Sequence, residues 1–537
     1  MSPRRPFVAG ATIALLRLSS LLTALASPSN TTGPIVDLGY SVYQGSAQSN
    51  GQNQFLGIRF AAPPLGDLRF RKPHPPLNTS GIQPATEFGP ICLGVAQGLA
   101  EGSSEDCLFL NVWAPSNATT ESKLPVLFFI QGGGYCDNSN ANYNGSELVQ
   151  FTGNQMVFVN FNYRVGPFGF LASEKVRKNG DLNAGFLDER FALEWLQQHI
   201  SKFGGDPNHV VLIGDSAGAG SIALHLTAFG GAPTNLFVGA FGISPYFPTQ
   251  LRVSELEFQF DIFAARAGCN GTSDPLTCLR QQNTITLQNA NQNMPYPGRV
   301  NNSVFAYSPT IDDDLIPDFL YRLLEEGKFI KVPSIFGDDT NEGTIFVTNA
   351  SSPADVAAFM QDNYPQLTDN DTAKINALYP KEPPFAEHAA FFPSLAAAYG
   401  ETTFICPGIE LVSVISQHTK YNVLTPAEIE SGLGVSHVSE ITNVFGPGNT
   451  PAGSSTSTFD FNDISLTPIL QAYYTSFVRF LDPNALTVNG SVFWPEFSPK
   501  TNQRLLLQVN ATTLETIPSS QLARCQFWKG LAIQLEQ

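Results

Sequence analysis

Positive charge is in short supply in this sequence. Its 537 residues carry 29 Lys and Arg against 46 Asp and Glu, a formal net charge of −17, and no basic cluster offsets the excess. A surface of this charge repels the phosphates of nucleic acids and of anionic lipids. We therefore expect no nucleic-acid partner.

Cysteine is also scarce, and its spacing does not suit a metal site. The seven cysteines form no C-x-x-C pair and have no histidine close to them in the sequence. A structural zinc site is therefore not expected. In an oxidising compartment such a set is typical of disulfides with one thiol left over.

Long hydrophobic runs are missing after the first 26 residues. The one long run, FVAGATIALLRLSSLLTALA, follows two arginines and ends on small residues. Arg17 interrupts this run, which argues against a membrane anchor. The pattern predicts a secretory signal peptide over residues 1–26, cleaved before Ser27, and a secreted protein without stable membrane insertion.

Acceptor sequences for N-linked glycans agree with secretion. Asn-x-Ser/Thr sequons are spread along the whole chain, and such sequons are glycosylated on the surface of secreted proteins. We expect N-linked glycans at these positions: Asn30, Asn78, Asn117, Asn144, Asn270, Asn301, Asn349, Asn370, Asn489 and Asn510.

Repeats and flexible linkers are absent too, and the segment 446–463 is best explained as a surface loop. Short apolar runs such as LPVLFFI and VVLIGD alternate with helical patterns such as FLDERFALEWLQQHISKF. This alternation predicts an α/β fold with a large, mixed, mostly parallel sheet covered by helices. We expect one catalytic domain over residues 27–537, with helical insertions from about residues 251 to 424 over the end of the sheet.

The segment VVLIGDSAGAGSIALHL places a serine between a strand and a helix. The pentapeptide G-x-S-x-G alone is common enough to arise by chance, and a glycine-rich corner would also produce it. Its position favours a nucleophile elbow, because Ser216 falls at the strand-to-helix turn. Gly214 and Gly218 leave room for that turn, and the N–H of Ala217 at the helix start is free to receive an oxyanion.

A nucleophilic serine needs a base, and the sequence has seven histidines. His209 and His225 lie too far along the strand and the helix from Ser216 to reach its hydroxyl. His74 and His199 are explained as surface or packing residues.

The remaining candidates are His388, His418 and His437, because the base comes last in the chain order of α/β-hydrolases. Helical patterns surround the first two. The third lies in GLGVSHVSEI, where small residues favour a loop that projects one imidazole into a site. We therefore predict that His437 is the base.

The acid should precede that histidine and follow a strand. The segment VPSIFGDDTNEGTIF offers Asp338, Asp339 and Glu342, and spacing alone leaves the choice open. For the two aspartates a solvated acidic turn is the preferred interpretation. Three glycines, Gly132 to Gly134, follow another apolar strand, and their N–H groups are suited to an oxyanion hole.

Together these segments resemble the type-B carboxylesterase family, which includes cholinesterases, fungal lipases and fungal secreted esterases. The resemblance spans almost the whole mature chain and includes EDCLFLNVWAP, FGGDPNHVVLIGDSAGAGS, DTNEGTIF and GVSHVSEITNVFG. It implies an α/β-hydrolase fold and a cofactor-free esterase with small-molecule ester substrates. The implied site residues are the triad Ser216, Glu342 and His437 and the oxyanion donors Gly133, Gly134 and Ala217.

The resemblance also implies a disulfide pattern and further site residues. Ser244 matches a serine that supports the triad, although a strand-end hydroxyl satisfied by backbone would explain it equally, and Tyr246 and Phe247 are candidates for the acyl pocket. Cys136 is left over as a buried small residue rather than a reactive thiol. The implied disulfides are Cys92 with Cys107, Cys269 with Cys278, and Cys406 with Cys525.

Departures from the family pattern bear on the substrate. Cys92 and Cys107 enclose only LGVAQGLAEGSSED, which is too short for the lid of a lipase and has no Trp for a choline ester. We expect small to medium soluble esters. The alternatives are a lipase acting on longer acyl esters and a non-catalytic binding protein, which typically lacks triad residues.

Overall fold

The structure is a computed structural model that describes residues 33–138, 141–415, 417–450 and 464–537. Residues Pro34–Gln537 form one compact unit. The predicted signal peptide, the Asn30 sequon and most of the predicted loop 446–463 lie outside the described residues. Within the described ranges, no helix has the length and hydrophobicity that a membrane span requires.

An eleven-stranded sheet forms the centre, in the order β11-β10-β9-β8-β7-β6-β4-β5-β3-β2-β1. The seven consecutive strands β10-β9-β8-β7-β6-β4-β5 are parallel. At the two ends of this run, β11 pairs with β10 and β3 with β5 in antiparallel fashion. The predicted mixed, mostly parallel sheet is therefore confirmed. The strands are β1 (Ser46–Ala47), β2 (Gln52–Arg59), β3 (Phe109–Pro115), β4 (Leu124–Ile130), β5 (Val157–Phe161), β6 (Gly205–Asp215), β7 (Gly239–Ile243), β8 (Ser334–Asp339), β9 (Gln417–Tyr421), β10 (Gln503–Leu507) and β11 (Thr513–Thr516).

Helices surround this sheet. They are α1 (Ser146–Phe151), α2 (Gly166–Phe170), α3 (Glu174–Asn179), α4 (Ala184–His199), α5 (Ala217–Gly231), α6 (Glu257–Arg266), α7 (Pro275–Gln281), α8 (Thr284–Ala290), α9 (Leu320–Glu325), α10 (Pro353–Asn363), α11 (Asp369–Leu378), α12 (Phe392–Gly400), α13 (Cys406–Ile415), α14 (Pro426–Ser431), α15 (Ile441–Phe445), α16 (Thr467–Phe480) and α17 (Ser519–Leu531). A π-helix, Glu401–Ile405, joins α12 to α13.

Two hydrophobic cores lie on opposite faces of the sheet. Along β6, Val210 and Leu212 enter one core while Val211 and Ile213 enter the other, because successive strand side chains point to opposite faces. Helices α4 and α5 contribute to the first core, and α15 and α16 to the second. This explains why all four residues from 210 to 213 are apolar.

The region predicted to be mostly helical contains α6 to α13, but two of its segments differ from the prediction. His418 lies in β9 and not in a helix, because its segment pairs in parallel with β8. His388 lies in a turn before α12, where its ring stacks on Phe392 with centroids 3.8 Å apart. Apolar periodicity in these short segments did not distinguish a helix from a buried strand or a turn.

Candidate active site

Three of the predicted site segments begin where parallel strands of the sheet end. Strand β6 ends directly before Ser216, β4 ends two residues before Gly132, and β8 ends three residues before Glu342. The carboxyl ends of parallel strands meet at one edge of the sheet, which is where α/β proteins place their ligand sites. The topology therefore brings these segments to one edge.

Ser216 lies on a strained turn between β6 and α5, with φ 54° and ψ −122°. Positive φ is unusual for a residue with a side chain, and such strain persists only where the surrounding structure enforces it. A Cβ on Gly218 would clash with the carbonyl of Ile130, and one on Gly214 would lie 2.9 Å from the carbonyl of Gly218. Both glycines thus permit the close approach of helix and sheet on which the turn depends.

The backbone N–H groups of Gly133, Gly134 and Ala217 donate no hydrogen bond to the part of the chain that the structure describes. Gly133 and Gly134 adopt φ of 118° and 58°, and Ala217 begins α5, where the first N–H groups have no helical partner. Gly132 is tied down, because its N–H donates to Asp215 Oδ1 at 3.1 Å. The geometry leaves three donors available beside the serine turn.

Glu342 and His437 form a buried pair, with 2.5 Å between Oε2 and Nδ1. The other carboxylate oxygen, Oε1, accepts the backbone N–H of Asp339 at 2.7 Å. His437 Nε2 is buried without a hydrogen-bond partner among the described residues. One imidazole nitrogen is therefore held by a carboxylate, and the other is left open to a further group.

The loops that carry the acid and the base are fastened to each other. Asn341 donates its backbone N–H to the Val435 carbonyl at 2.8 Å, and its side-chain Oδ1 accepts the Val435 N–H at 3.0 Å. Asn341 precedes Glu342, and Val435 lies two residues before His437. These two hydrogen bonds fix the relative position of the loops.

Aromatic rings enclose the imidazole of His437. The ring centroids of Phe404 and Phe346 lie 4.3 Å and 5.0 Å from it, and Phe305 extends the wall from Phe346 at 5.8 Å. Nothing in the sequence pointed to Phe404, which lies in the π-helix, or to Phe305, which comes from a distant loop. Phe346 could have been suggested by its place four residues after Glu342.

The prediction of a solvated acidic turn at Asp338 and Asp339 is wrong. Strand β8 continues through both residues, and neither has any exposed surface. Their side chains point to opposite faces of the sheet, as strand geometry requires: Asp338 pairs with Arg504 at 3.5 Å, whereas Asp339 accepts the Ser244 hydroxyl at 3.3 Å. Ser244 thus contacts Asp339, and Asp339 in turn contacts Glu342.

A buried carboxyl that the sequence analysis missed, Glu440, lies three residues after His437. Burial raises its pKa to about 8, and the neighbouring Glu342 contributes to this. Burial together with Glu440 and Glu342 raises the pKa of Asp339 well above its usual range. Burial also raises the pKa of Asp215, beside Ser216, to about 7.

The two candidates for the acyl pocket separate in the structure. Tyr246 lies in the aromatic wall, with its ring 5.3 Å from Phe305 and 5.7 Å from Phe404. Phe247 instead packs on Tyr321 of α9, with centroids 5.8 Å apart. Only the first of the two therefore contacts rings that surround the imidazole.

The other histidines with described side chains lie outside this cluster. His209 bonds to the carbonyl of Val478, His225 to Glu189 and His388 to the carbonyl of Ser431, while His199 packs on Trp195 and His74 is exposed.

The structure forms the three disulfides that the resemblance implied, with Cα separations of 5.0, 5.6 and 5.1 Å for Cys92–Cys107, Cys269–Cys278 and Cys406–Cys525. Cys136 is buried and free, and its thiol lies 3.5 Å from the carbonyl of Tyr307. Burial raises the pKa of this thiol to about 12, so it stays protonated at neutral pH. This environment agrees with a packing role for Cys136.

Comparison with known proteins places this cluster in context. The sequence model of the carboxylesterase family matches residues 33–528. Lipase 1 of Geotrichum candidum is 29% identical over 529 residues, which cover 86% of this chain and 91% of that lipase. Secreted lipase 1 of Botryotinia fuckeliana is 32% identical over 503 residues, which cover 83% of this chain and 84% of that protein.

A solved structure is similar over nearly the full length. The crystal structure of Aspergillus niger EstA superposes with a TM-score of 0.92 at 46% sequence identity, covering 95% of this chain and all of that one. Together with the family match, this similarity confirms the predicted α/β-hydrolase fold.

Proposed function

Since this chain belongs to the carboxylesterase family and is a carboxylic-ester hydrolase, we propose that it cleaves esters through Ser216, His437 and Glu342. The observation that carries the proposal is the buried Glu342–His437 pair, whose free imidazole nitrogen has no other partner among the described residues. Such a pair is what a serine nucleophile needs as its base.

In the proposed reaction His437 Nε2 takes the hydroxyl proton as Ser216 Oγ attacks the ester carbonyl. Glu342 holds the imidazole tautomer and stabilises the imidazolium that forms. The N–H groups of Gly133, Gly134 and Ala217 receive the developing oxyanion. The alcohol leaves with the proton from His437, and water then hydrolyses the acyl-enzyme by the same steps.

The proposed substrates are small to medium soluble esters. The short Cys92–Cys107 loop supports this, as does Ser216, which is only 7% exposed next to a wall of aromatic rings. A lipase acting on longer acyl esters is the second candidate, because the relatives named above include lipases. A panel of aryl esters of increasing acyl length separates the two: kcat/KM falling beyond short chains supports the first, and a rise with long chains and emulsified substrate supports the second.

We further propose that the protein is secreted as a glycoprotein after removal of residues 1–26. Of the nine sequons that the structure describes, eight have an exposed asparagine and Asn144 is half-buried. Exposed sequons are accessible to glycosylation. N-terminal sequencing of the secreted protein, and its change in mass after enzymatic deglycosylation, test this proposal.

The direct test of the mechanism compares the wild type with Ser216→Ala on an aryl acetate. We expect kcat to fall by about 10³-fold or more, because no other group replaces the nucleophile. Ser498→Ala, a change in a turn far along the chain, serves as the matched control and should retain the wild-type rate. Equal rates for the wild type and Ser216→Ala would refute the triad, and would favour a binding role.

A further inference from the structure

Two buried carboxyl groups, those of Asp339 and Glu440, meet behind the triad acid. They are 0% and 2% exposed, and their side chains are within hydrogen-bonding reach of each other. Asp339 Oδ2 accepts the Ser244 hydroxyl. Asp339 Oδ1 and Glu440 Oε2 have no donor among the described residues.

No cation compensates this pair. In the described part of the chain neither carboxyl forms an ion pair with Lys or Arg, and the adjacent Arg504 bonds to Asp338 on the other face of β8. The titratable groups that face the pair are themselves acidic or neutral: Glu342, Asp215, Glu428 and Tyr474, with His437 beyond Glu342. Two ionised carboxylates in this position would repel each other without water or a cation to screen them.

We propose that Asp339 and Glu440 share one proton, forming a hydrogen-bonded carboxyl–carboxylate pair that positions the triad acid. The proton gives the two orphaned oxygens a common partner. The pair then holds the end of β8, where the Asp339 N–H donates to Glu342 Oε1. Asp339 and Glu440 are positioning residues and do not touch the substrate, and this role rests on the proposed function of Glu342.

The shared proton has a consequence for alkaline pH. Burial raises the pKa of both carboxyl groups, so the pair keeps its proton at neutral pH and loses it only at alkaline pH. The two like charges then separate, and Glu342 loses its alignment. We expect the wild-type kcat/KM to decline at alkaline pH.

Glu440→Gln tests this directly, because its amide N–H can donate to Asp339 and cannot be lost at alkaline pH. The net charge of the pair stays at one negative, so we expect a near-neutral kcat/KM within about threefold of the wild type. At pH 9 the variant should be more active relative to its neutral rate than the wild type. Glu440→Leu, which cannot donate, should lose activity at both pH values.

The acid limb of the pH profile of kcat/KM reports the protonation of His437. If this limb moves to lower pH in Glu440→Gln, the substitution has removed a negative charge near His437. The wild-type pair would then carry two charges, and the proposal would be overturned. Asp339→Asn places the amide on the other member of the pair, and we expect the same pH dependence of kcat/KM. It serves as the test if Glu440→Gln does not fold. Asp338→Asn is the matched control: it removes a carboxylate one residue away that already has Arg504 beside it. Asp338→Asn should leave the decline of kcat/KM at alkaline pH unchanged.

Thermal unfolding provides a readout that does not depend on catalysis. The folded state holds the proton between the ordinary carboxyl pKa and the raised pKa of the pair, so this contribution to stability is present at pH 5 and is lost as the pH rises through the raised pKa. The Tm of Glu440→Gln minus that of the wild type should therefore increase between pH 5 and 9. A constant difference would refute the shared proton, whatever the Ser216→Ala assay shows.

Discussion

The described residues include two buried pairs of Glu and His that each lie near a serine, and we have proposed the active site at one of them. The first joins Glu342 to His437 at the carboxyl edge of the sheet. In the second, Glu189 accepts the Ser221 hydroxyl at 2.8 Å and lies 3.2 Å from His225 Nε2. The glutamate and the histidine are buried in both.

The difference between the clusters lies in the backbone around them. Ser221 sits inside α5, has no exposed surface and donates its hydroxyl to the carboxylate. Ser216 sits at the strained start of the same helix, beside N–H groups that have no described partner. A nucleophilic hydroxyl needs access for the ester carbonyl, donors for the oxyanion and a base. Ser221 has no exposed surface to admit a carbonyl, and its hydroxyl is engaged by Glu189.

Replacing the two histidines in parallel should give the largest contrast. We expect His437→Gln to lower kcat/KM on an aryl acetate by about 10³-fold or more, because the general base is lost. His225→Gln should leave kcat within a few-fold of the wild type for any protein that folds. A large loss of kcat in a folded His225→Gln would show that the second cluster takes part in the reaction.

The two glutamates should differ by a smaller factor. Glu342→Gln keeps the shape of the side chain but removes the charge that stabilises the imidazolium, and we expect kcat to fall by about 10² to 10⁴-fold. Glu189→Gln should retain activity, because its carboxylate serves packing inside the core. Circular dichroism checks that both variants fold, and steady-state kinetics measures kcat. Similar losses of kcat in the two variants would show that Glu342 and Glu189 do not differ in their role.

Ser221→Ala should affect stability rather than rate. It leaves a buried carboxyl oxygen of Glu189 without its donor, which costs about 1 to 3 kcal/mol. Denaturant unfolding should show this loss while kcat/KM stays close to the wild-type value. If the stability is unchanged, the Ser221–Glu189 hydrogen bond has little net energetic role.

The last contrast concerns acid stability. Burial lowers the pKa of His225 to about 3, so the folded state keeps the imidazole neutral where the unfolded chain takes up a proton. This contribution to stability is complete above about pH 6.5 and is lost as the pH falls toward 3. The Tm of His225→Gln minus that of the wild type should therefore rise between pH 7 and pH 4, and a flat difference would contradict the buried neutral state.

Local patterns in the sequence were sufficient to predict the sheet and the serine. The strand before Ser216, the glycines around it and the helical pattern after it all belong to one segment, and strand and turn chemistry act over that range. His437 followed from chain order and from the small residues around it. Both remain predictions of function, which the proposed variants test.

Long-range packing determined what local patterns could not predict. Asp338 and Asp339 suited a solvated turn because two adjacent acids rarely lie in a buried strand, yet Arg504 from a distant segment pairs with Asp338 and Ser244 donates to one oxygen of Asp339. The choice of Glu342 rested on family resemblance, not on spacing. Phe404 and Glu440 approach the site only through the packing of the π-helix and the turn before α15.

The double hydrogen bond between Asn341 and Val435 makes the acid and the base a single mechanical unit. Such a unit lets the helical cover diverge or be redesigned for new acyl groups while the distance between carboxylate and imidazole stays constant. Substitutions in the helical cover can then change the acyl specificity without changing the catalytic rate. Asn341→Ala should uncouple them, and its kcat should then become sensitive to substitutions in the cover that the wild type tolerates.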